Sequence, residues 1–269
     1  MSRFKVFALI CLFILPAVEI AGQGISFDAG ITPAEGRIML RSQYRHISAS
    51  ATSGSITTRM VPIVVAYGLK PGVTLMARNM YFHRHFSASD VTVKGINDPY
   101  LLAKFRLYRK NTRNWVVGVA PHVAVNVPIG ATGVGSSTWN PDLGVNVSFR
   151  PRFFSVDFSA RYRIQDITAA SAVDPPDNFA ADLAASHIIA LNASGESALA
   201  PVVEFNYFRE VFTGDGQAAP DQLLMVSPGG TFIFSDIAFE MLFQLPLYQG
   251  SDPVVKQRYR LIAGLKYMF

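Results

Sequence analysis

The chain has 269 residues, 50% of them hydrophobic and only 16% charged, with a formal net charge of +5. That length suits one large domain. Beyond the N-terminus no run of 18 apolar residues occurs, which excludes a bundle of membrane-spanning helices.

The first residues read MSRFKVFALICLFILPAVEIAGQG. Arg3 and Lys5 give a positive start, Val6 to Val18 are almost all apolar, and small residues follow at Ala21, Gly22 and Gly24. This pattern predicts a secretory signal peptide over residues 1–24, cleaved between Ala21 and Gly24. An uncleaved anchor is the alternative, disfavoured because the apolar stretch is short. Cys11 is the only cysteine, and it sits inside the signal behind Ile10 rather than behind the small residue that lipidation needs. The mature chain, residues 25–269, is therefore expected to have no disulfide and no thiolate metal site. Arg3, Lys5 and Glu19 together account for +1, which leaves the mature protein at about +4. The basic residues form no run, so nucleic acid is not an expected partner and the charge is local to a site or lumen.

From Gly36 onward, short segments alternate apolar residues with polar or small ones, and that period of two predicts strands. In chain order they fall near 37–47, 59–69, 73–82, 98–108, 115–127, 141–149, 153–163, 182–191, 198–208, 222–233, 237–247 and 257–269. Val61, Ile63, Val65, Tyr67 and Leu69 mark one face of the second. Phe154, Val156, Phe158, Ala160 and Tyr162 mark one face of the seventh, with Ser155, Asp157, Ser159, Arg161 and Arg163 opposite. The eighth is the weakest, because Asp182 to Leu191 is rich in alanine and suits a helix on propensity. The last is the clearest: Tyr259, Leu261, Ala263, Leu265, Tyr267 and Phe269 alternate with Arg258, Arg260, Gly264 and Lys266. Most of these segments are close to the roughly 9–11 residues that a tilted strand needs to cross a bilayer.

The connections alternate strictly between short (70–72, 109–114, 150–152, 192–197, 234–236) and long (48–58, 83–97, 128–140, 164–181, 209–221, 248–256). Short turns on the periplasmic side and long loops outside are the asymmetry of bacterial outer-membrane barrels, as is an even strand count. The aromatics agree: Tyr44, Tyr81, Tyr162, Tyr207 and Tyr259 fall near one set of ends, and Tyr67, Trp115, Phe149, Phe154, Tyr267 and Phe269 near the other. The expected fold is all-β, a transmembrane antiparallel up-and-down barrel of about 12 strands in the bacterial outer membrane. It must close, because in hydrocarbon every backbone N–H and C=O needs an internal partner. Membrane lipid and lipopolysaccharide are its expected partners. A terminal Phe269 behind an alternating strand also resembles the signal read by the barrel-assembly machinery.

These faces assign a lumen. Its basic residues are Arg41, Arg45, Arg78, Lys104, Arg106, Arg161, Arg163, Arg258, Arg260 and Lys266. Its acids are Asp98, Asp142, Asp157, Asp182, Glu204 and Glu240. Such a lumen attracts carboxylates or phosphates, or else fills itself with ion pairs. The candidate solute path takes the ten basic residues with Glu204 and Glu240. Twelve strands tilted about 40° give a diameter of roughly 24 Å, so long side chains leave a passage of about 10 Å or less. The pore is expected to be narrow, unlike that of a general diffusion porin. Residues 25–35 are small and polar enough to fold into the periplasmic mouth as a partial plug.

No zinc-type histidine spacing, phosphate loop or GxSxG turn is present, and no cofactor or metal is expected. His83 and His85 lack a third ligand, and Gly133 to Gly135 reads as a flexible loop. Ser186 and His187 point to opposite faces, while His46 with Ser48 lacks an evident orienting partner.

Several stretches carry a family likeness: Tyr67-Gly68-Leu69, Gly95-Ile96-Asn97-Asp98-Pro99, Val127-Pro128-Ile129-Gly130, Pro201 to Tyr207, Ser227-Pro228-Gly229, Leu245 to Gly250, and the final RYRLIAGLKYMF. In order, these resemble the outer-membrane proteins grouped as the meta-pathway of phenol degradation (MetA-pathway) family. Asn97 stands where that family often has glycine, and Ile129 where threonine is common. The resemblance implies a porin-like barrel transporter for hydrophobic or aromatic compounds. The leading expectation is a non-enzymatic channel for small solutes, aromatic or anionic. The alternatives are an outer-membrane lipid-modifying enzyme and a structural or surface-binding barrel without flux.

Overall fold

The computed structural model describes residues 24–52, 54–151, 153–167, 175–192, 196–211, 221–250 and 255–269. The predicted signal lies outside them except for Gly24.

Fifteen strands make one antiparallel sheet: β1 (Ile38–Ala51), β2 (Gly54–Lys70), β3 (Val73–Phe86), β4 (Val91–Ile96), β5 (Tyr100–Phe105), β6 (Tyr108–Asn111), β7 (Trp115–Asn126), β8 (Asn140–Pro151), β9 (Phe154–Arg163), β10 (Asp177–His187), β11 (Ile189–Ala190), β12 (Ser197–Val211), β13 (Gln222–Phe234), β14 (Ile237–Gln249) and β15 (Val255–Met268). Consecutive strands are neighbours, β1 pairs with β15, and β10 pairs with β12 to complete the ring. β4, β5 and β6 share one place between β3 and β7, and β10 and β11 share another. The wall is thus a closed barrel of twelve positions, with no sheet edge left for lipid to meet.

The alternation sorts the faces as expected. Leu40, Tyr44, Ile63, Val65, Leu75, Leu101, Val123, Leu143, Phe158, Leu183, Val203, Phe205, Phe239, Met241 and Leu265 are all exposed on the outside. Gln43, Lys104, Asp142, Asn146, Asp157, Glu204, Ser227, Glu240 and Lys266 are buried on the inside. This inversion of the soluble pattern is what hydrocarbon outside and a polar interior require. The weakest predicted strand is a strand: β10 pairs with both β9 and β12, starts five residues earlier than expected, and continues after Ile188 as β11.

Two features depart from expectation. The strands run further outward, so much of 48–58 and 83–97 is ladder rather than loop. Above the bilayer both faces are wet, so the apolar period vanishes while backbone pairing goes on. The predicted strand at 98–108 is broken in two. The pairing sum shifts by one between Tyr81–Ile96 and Arg78–Tyr100, which makes a bulge at Asn97-Asp98-Pro99. Pro99 has no N–H for the ladder. A second irregularity leaves Leu107 75% exposed. The tight turn between β2 and β3 places Gly72 at φ 90°, as Pro-Gly in a type II turn demands.

Candidate functional site: the barrel lumen

The segment from Gly24 to Pro33 lies inside the barrel. Ile25, Ala29, Gly30, Ile31 and Thr32 are buried. At one end it is held by Glu204 of β12, whose carboxylate accepts from the backbone N–H groups of Ile25 and Ser26 and from Ser26 Oγ. The Ile25 carbonyl accepts from Arg41 and from Gln43 Nε2, the latter at 2.9 Å. The Ile25 side chain packs on Ala184, Val202, Leu242 and Ile262, with Phe27 beside it.

The segment then crosses the lumen. Asp28 pairs with Lys104 Nζ of β5 at 2.6 Å, and the same ammonium donates to the Ala29 carbonyl at 2.9 Å. Lys104 is only 1% exposed. Gly30 N donates to Ser148 Oγ of β8 at 2.9 Å. A Cβ on Gly30 would stand 2.7 Å from Ser148 N and 2.8 Å from the carbonyls of Asn146 and Gly118, so only glycine fits against this wall. The chain leaves past Gly68 of β2, where a Cβ would meet the Ala34 carbonyl at 2.0 Å. Around the ring of twelve, Glu204 and Lys104 stand five places apart, nearly opposite. The expectation that residues 25–35 enter the barrel therefore holds in position, and their depth is greater than a rim contact.

Several of the basic residues are paired. Arg41 Nε meets Glu240 at 2.8 Å, and Lys266 lies 3.5 Å from the other oxygen of that carboxylate. Arg150 lies 3.6 Å from Asp157, which also accepts from Ser148 Oγ. Arg106 lies over Gly72 at the periplasmic turn, within 3.0 Å of where its Cβ would be. Further outward, Arg163 meets Asp142 at 2.9 Å, and His122 lies 3.5 Å from the same carboxylate. Arg163 also reaches over the ring of Tyr100, which carries Arg78 at 4.4 Å.

Arg45, Arg78, Arg161 and Arg260 have no carboxylate within 4.0 Å among the described residues. Among the described residues Arg45 hydrogen-bonds only to the Gln43 amide oxygen, at 2.6 and 3.0 Å, and the buried Nε of Arg260 has no hydrogen-bond partner. Arg45 feels the charges of Arg41, Arg78 and Arg260 and, at longer range, of Glu204; Arg78 feels those of Arg161, Arg163 and Asp142. Arg258 is different: it is exposed and is skipped where the β1–β15 register slips, so the slip takes it out of the lumenal row.

The sequence reading did not single out the second group of lumen residues. Gln43, Ser148 and Asn206 hold the inner segment, and uncharged residues on an inward face give no signal beyond their parity. Asp98 proves to be a loop anchor. Its carboxylate accepts from Gly130 N at 2.8 Å and from Ser136 N and Oγ at 2.6 and 2.7 Å. The 127–139 loop, expected to be flexible at Gly133 to Gly135, is thereby pinned against the inner side of β4 at Gly95. His46 is outward and stacks on Tyr259 rather than on a carboxylate, as a catalytic dyad would need. No group of three metal-ligating side chains occurs among the described residues.

Known structures share this architecture. The COG4313 outer membrane channel from Pseudomonas putida F1 superposes with a TM-score of 0.67 at 17% identity, covering 89% of this chain and 97% of that one. The NanC porin gives 0.50 at 11% identity, covering 86% and 98%. No curated protein sequence matches. The family model described as "Putative MetA-pathway of phenol degradation" matches residues 43–245, and the chain, an outer-membrane β-barrel, belongs to that family.

Proposed function

We propose that this protein is a channel passing small solutes across the outer membrane through a narrow, basic lumen, and that solutes bearing an anionic group pass best. The observation that carries the reading is the set of four guanidiniums, on Arg45, Arg78, Arg161 and Arg260, with no carboxylate within 4.0 Å among the described residues. Unpaired cations in a confined polar passage raise the local concentration of anions. Arg163, which shares Tyr100 with Arg78, extends the basic wall toward an aromatic face, which suits aromatic carboxylates.

Residues 24–33 close the path at rest, and passage requires them to leave Glu204 and Lys104. The protein works without a cofactor and performs no chemistry on its solute. It reaches the membrane by way of its N-terminal signal and the assembly machinery that reads the strand ending at Phe269.

The test is reconstitution in planar bilayers with a salt gradient. An anion-selective reversal potential is expected, weakened in the Arg45→Ala/Arg260→Ala variant. Cation selectivity, or no conductance even after removal of residues 25–33, would overturn the reading.

A further inference from the structure

The outside of the barrel carries a second basic feature that the lumen does not use. The register places His46 of β1 opposite Arg59 of β2, Arg59 opposite His83 of β3, and His83 opposite Lys94 of β4. Partners in register share a face. That face is the outer one, because Tyr44, Tyr81 and Ile96, each two residues nearer the bilayer centre, are exposed there. The row therefore lies side by side across four adjacent strands.

Its depth follows from geometry. Leu69 lies near the periplasmic end of β2, ten residues from Arg59. Ten residues of strand at about 3.3 Å each, tilted about 40°, rise roughly 25 Å, the height of the apolar band. The row thus stands at the level of the outer-leaflet headgroups, directly above the aromatic and aliphatic girdle.

Among the described residues of these strands no carboxylate balances it. β1, β2, β3, β4 and β15 contain no Asp or Glu at all, and Asp90 sits in the turn beyond the row. Among the described residues, the side chains of Arg59, His83 and Lys94 make no hydrogen bond or ion pair. Arg59 and Lys94 are exposed. Below the row, the outward residues of β1, β2 and β3 carry no charge, Ser42 and Asn79 being the polar ones, so the row stands apart from the wall beneath it.

We infer that His46, Arg59, His83 and Lys94 form a binding site for the phosphate groups of an outer-leaflet glycolipid. Arg59 and Lys94 stand two strands apart, about 10 Å at the usual strand spacing, which lets one headgroup with two phosphates engage both. Arg59 supplies the forked donor that suits a phosphate, and the imidazoles on either side of it add N–H donors. Acyl chains then lie on the apolar wall of β1 to β3 below.

The full-length protein in detergent micelles, titrated with diphosphoryl lipid A and observed by native mass spectrometry, tests this. Retention of the lipid is expected. Each cation near a charged membrane surface is worth about a factor of five, so Arg59→Gln/Lys94→Gln should weaken retention roughly 25-fold. Fully dephosphorylated lipid A should bind the wild type no better than the variant, and millimolar inorganic phosphate should not displace the glycolipid. Folding is checked by heat-modifiable migration on gels. Equal retention of phosphorylated and dephosphorylated lipid, or equal retention by wild type and folded double variant, would overturn the site. Conductance is read on the same variant and should be unchanged, so a failure here is separate from a failure of the channel reading.

Discussion

Glu204→Gln is the sharpest perturbation of the inner segment. The wild-type carboxylate is 0% exposed and accepts three hydrogen bonds, two from the backbone and one from Ser26 Oγ. Glutamine keeps one acceptor oxygen and turns an NH2 donor toward donors. Charge-assisted bonds of this kind contribute about 1.5–3 kcal/mol each. Losing one such bond and opposing another removes roughly 3 kcal/mol of docking, and so raises the undocked-to-docked ratio by about 150-fold. The barrel itself should persist, because β10–β12–β13 pairing runs through the backbone. Single-channel recording in planar bilayers reads the result as a larger fraction of time in the high-conductance state. If the folded variant spends the same fraction of time closed as the wild type, within about twofold, the docking argument is wrong.

Gly30→Val should have the same consequence by a steric route, since its branched side chain would strike the β7 and β8 backbone; open-state occupancy is again the readout. Val203→Lys, on the lipid face near the middle of β12, should cost about 2–4 kcal/mol in reversible urea unfolding, whereas Ser227→Thr on the lumen side should cost far less. Asp98→Ala removes three bonds that pin the 127–139 loop and should expose that loop to limited proteolysis in intact cells, where the wild type resists. Glu240→Gln leaves Arg41 and Lys266 without their shared carboxylate; removing one partner of a buried pair costs about 3–5 kcal/mol, seen as a lower unfolding midpoint.

The barrel was legible because lipid on one side and a polar interior on the other write a period of two into every strand. The signal is strong where the contrast is greatest, as in β14, whose Phe239, Met241 and Phe243 alternate with Glu240, Leu242 and Gln244. It fades above the membrane, where β1 to β4 run on as Ser48, Ser50, Thr57 and His85 with no apolar face to mark them. The break at Asn97-Asp98-Pro99 was hidden for another reason. A bulge shifts parity by one, and a short segment reads equally well in either phase. Arg258 fell to the same effect, since the slip between Ser48 and Ala49 removes it from the row that Arg260 and Lys266 keep.

Inward position alone does not tell whether a charge fills the barrel or serves a solute. Both fates occur here. Where residues 24–33 cross, Lys104, Glu204, Arg41 and Glu240 are consumed by the segment or by one another. Arg45, Arg78, Arg161 and Arg260 have no carboxylate within 4.0 Å among the described residues; Asp182, Glu204 and Asp142 act on the first three from further away. A cation without a directly bonded carboxylate costs free energy to bury, so these arginines do less for the wall than the paired ones. The position of these arginines against a segment fastened through Glu204 gives them a use. An anion bound there would draw Arg45 and Arg41 toward itself and away from Gln43 and the Ile25 carbonyl, which loosens the same contacts that hold the path closed. On that reasoning, an aromatic carboxylate should raise open-state occupancy in the wild type and have little further effect in Glu204→Gln, where the segment is already free.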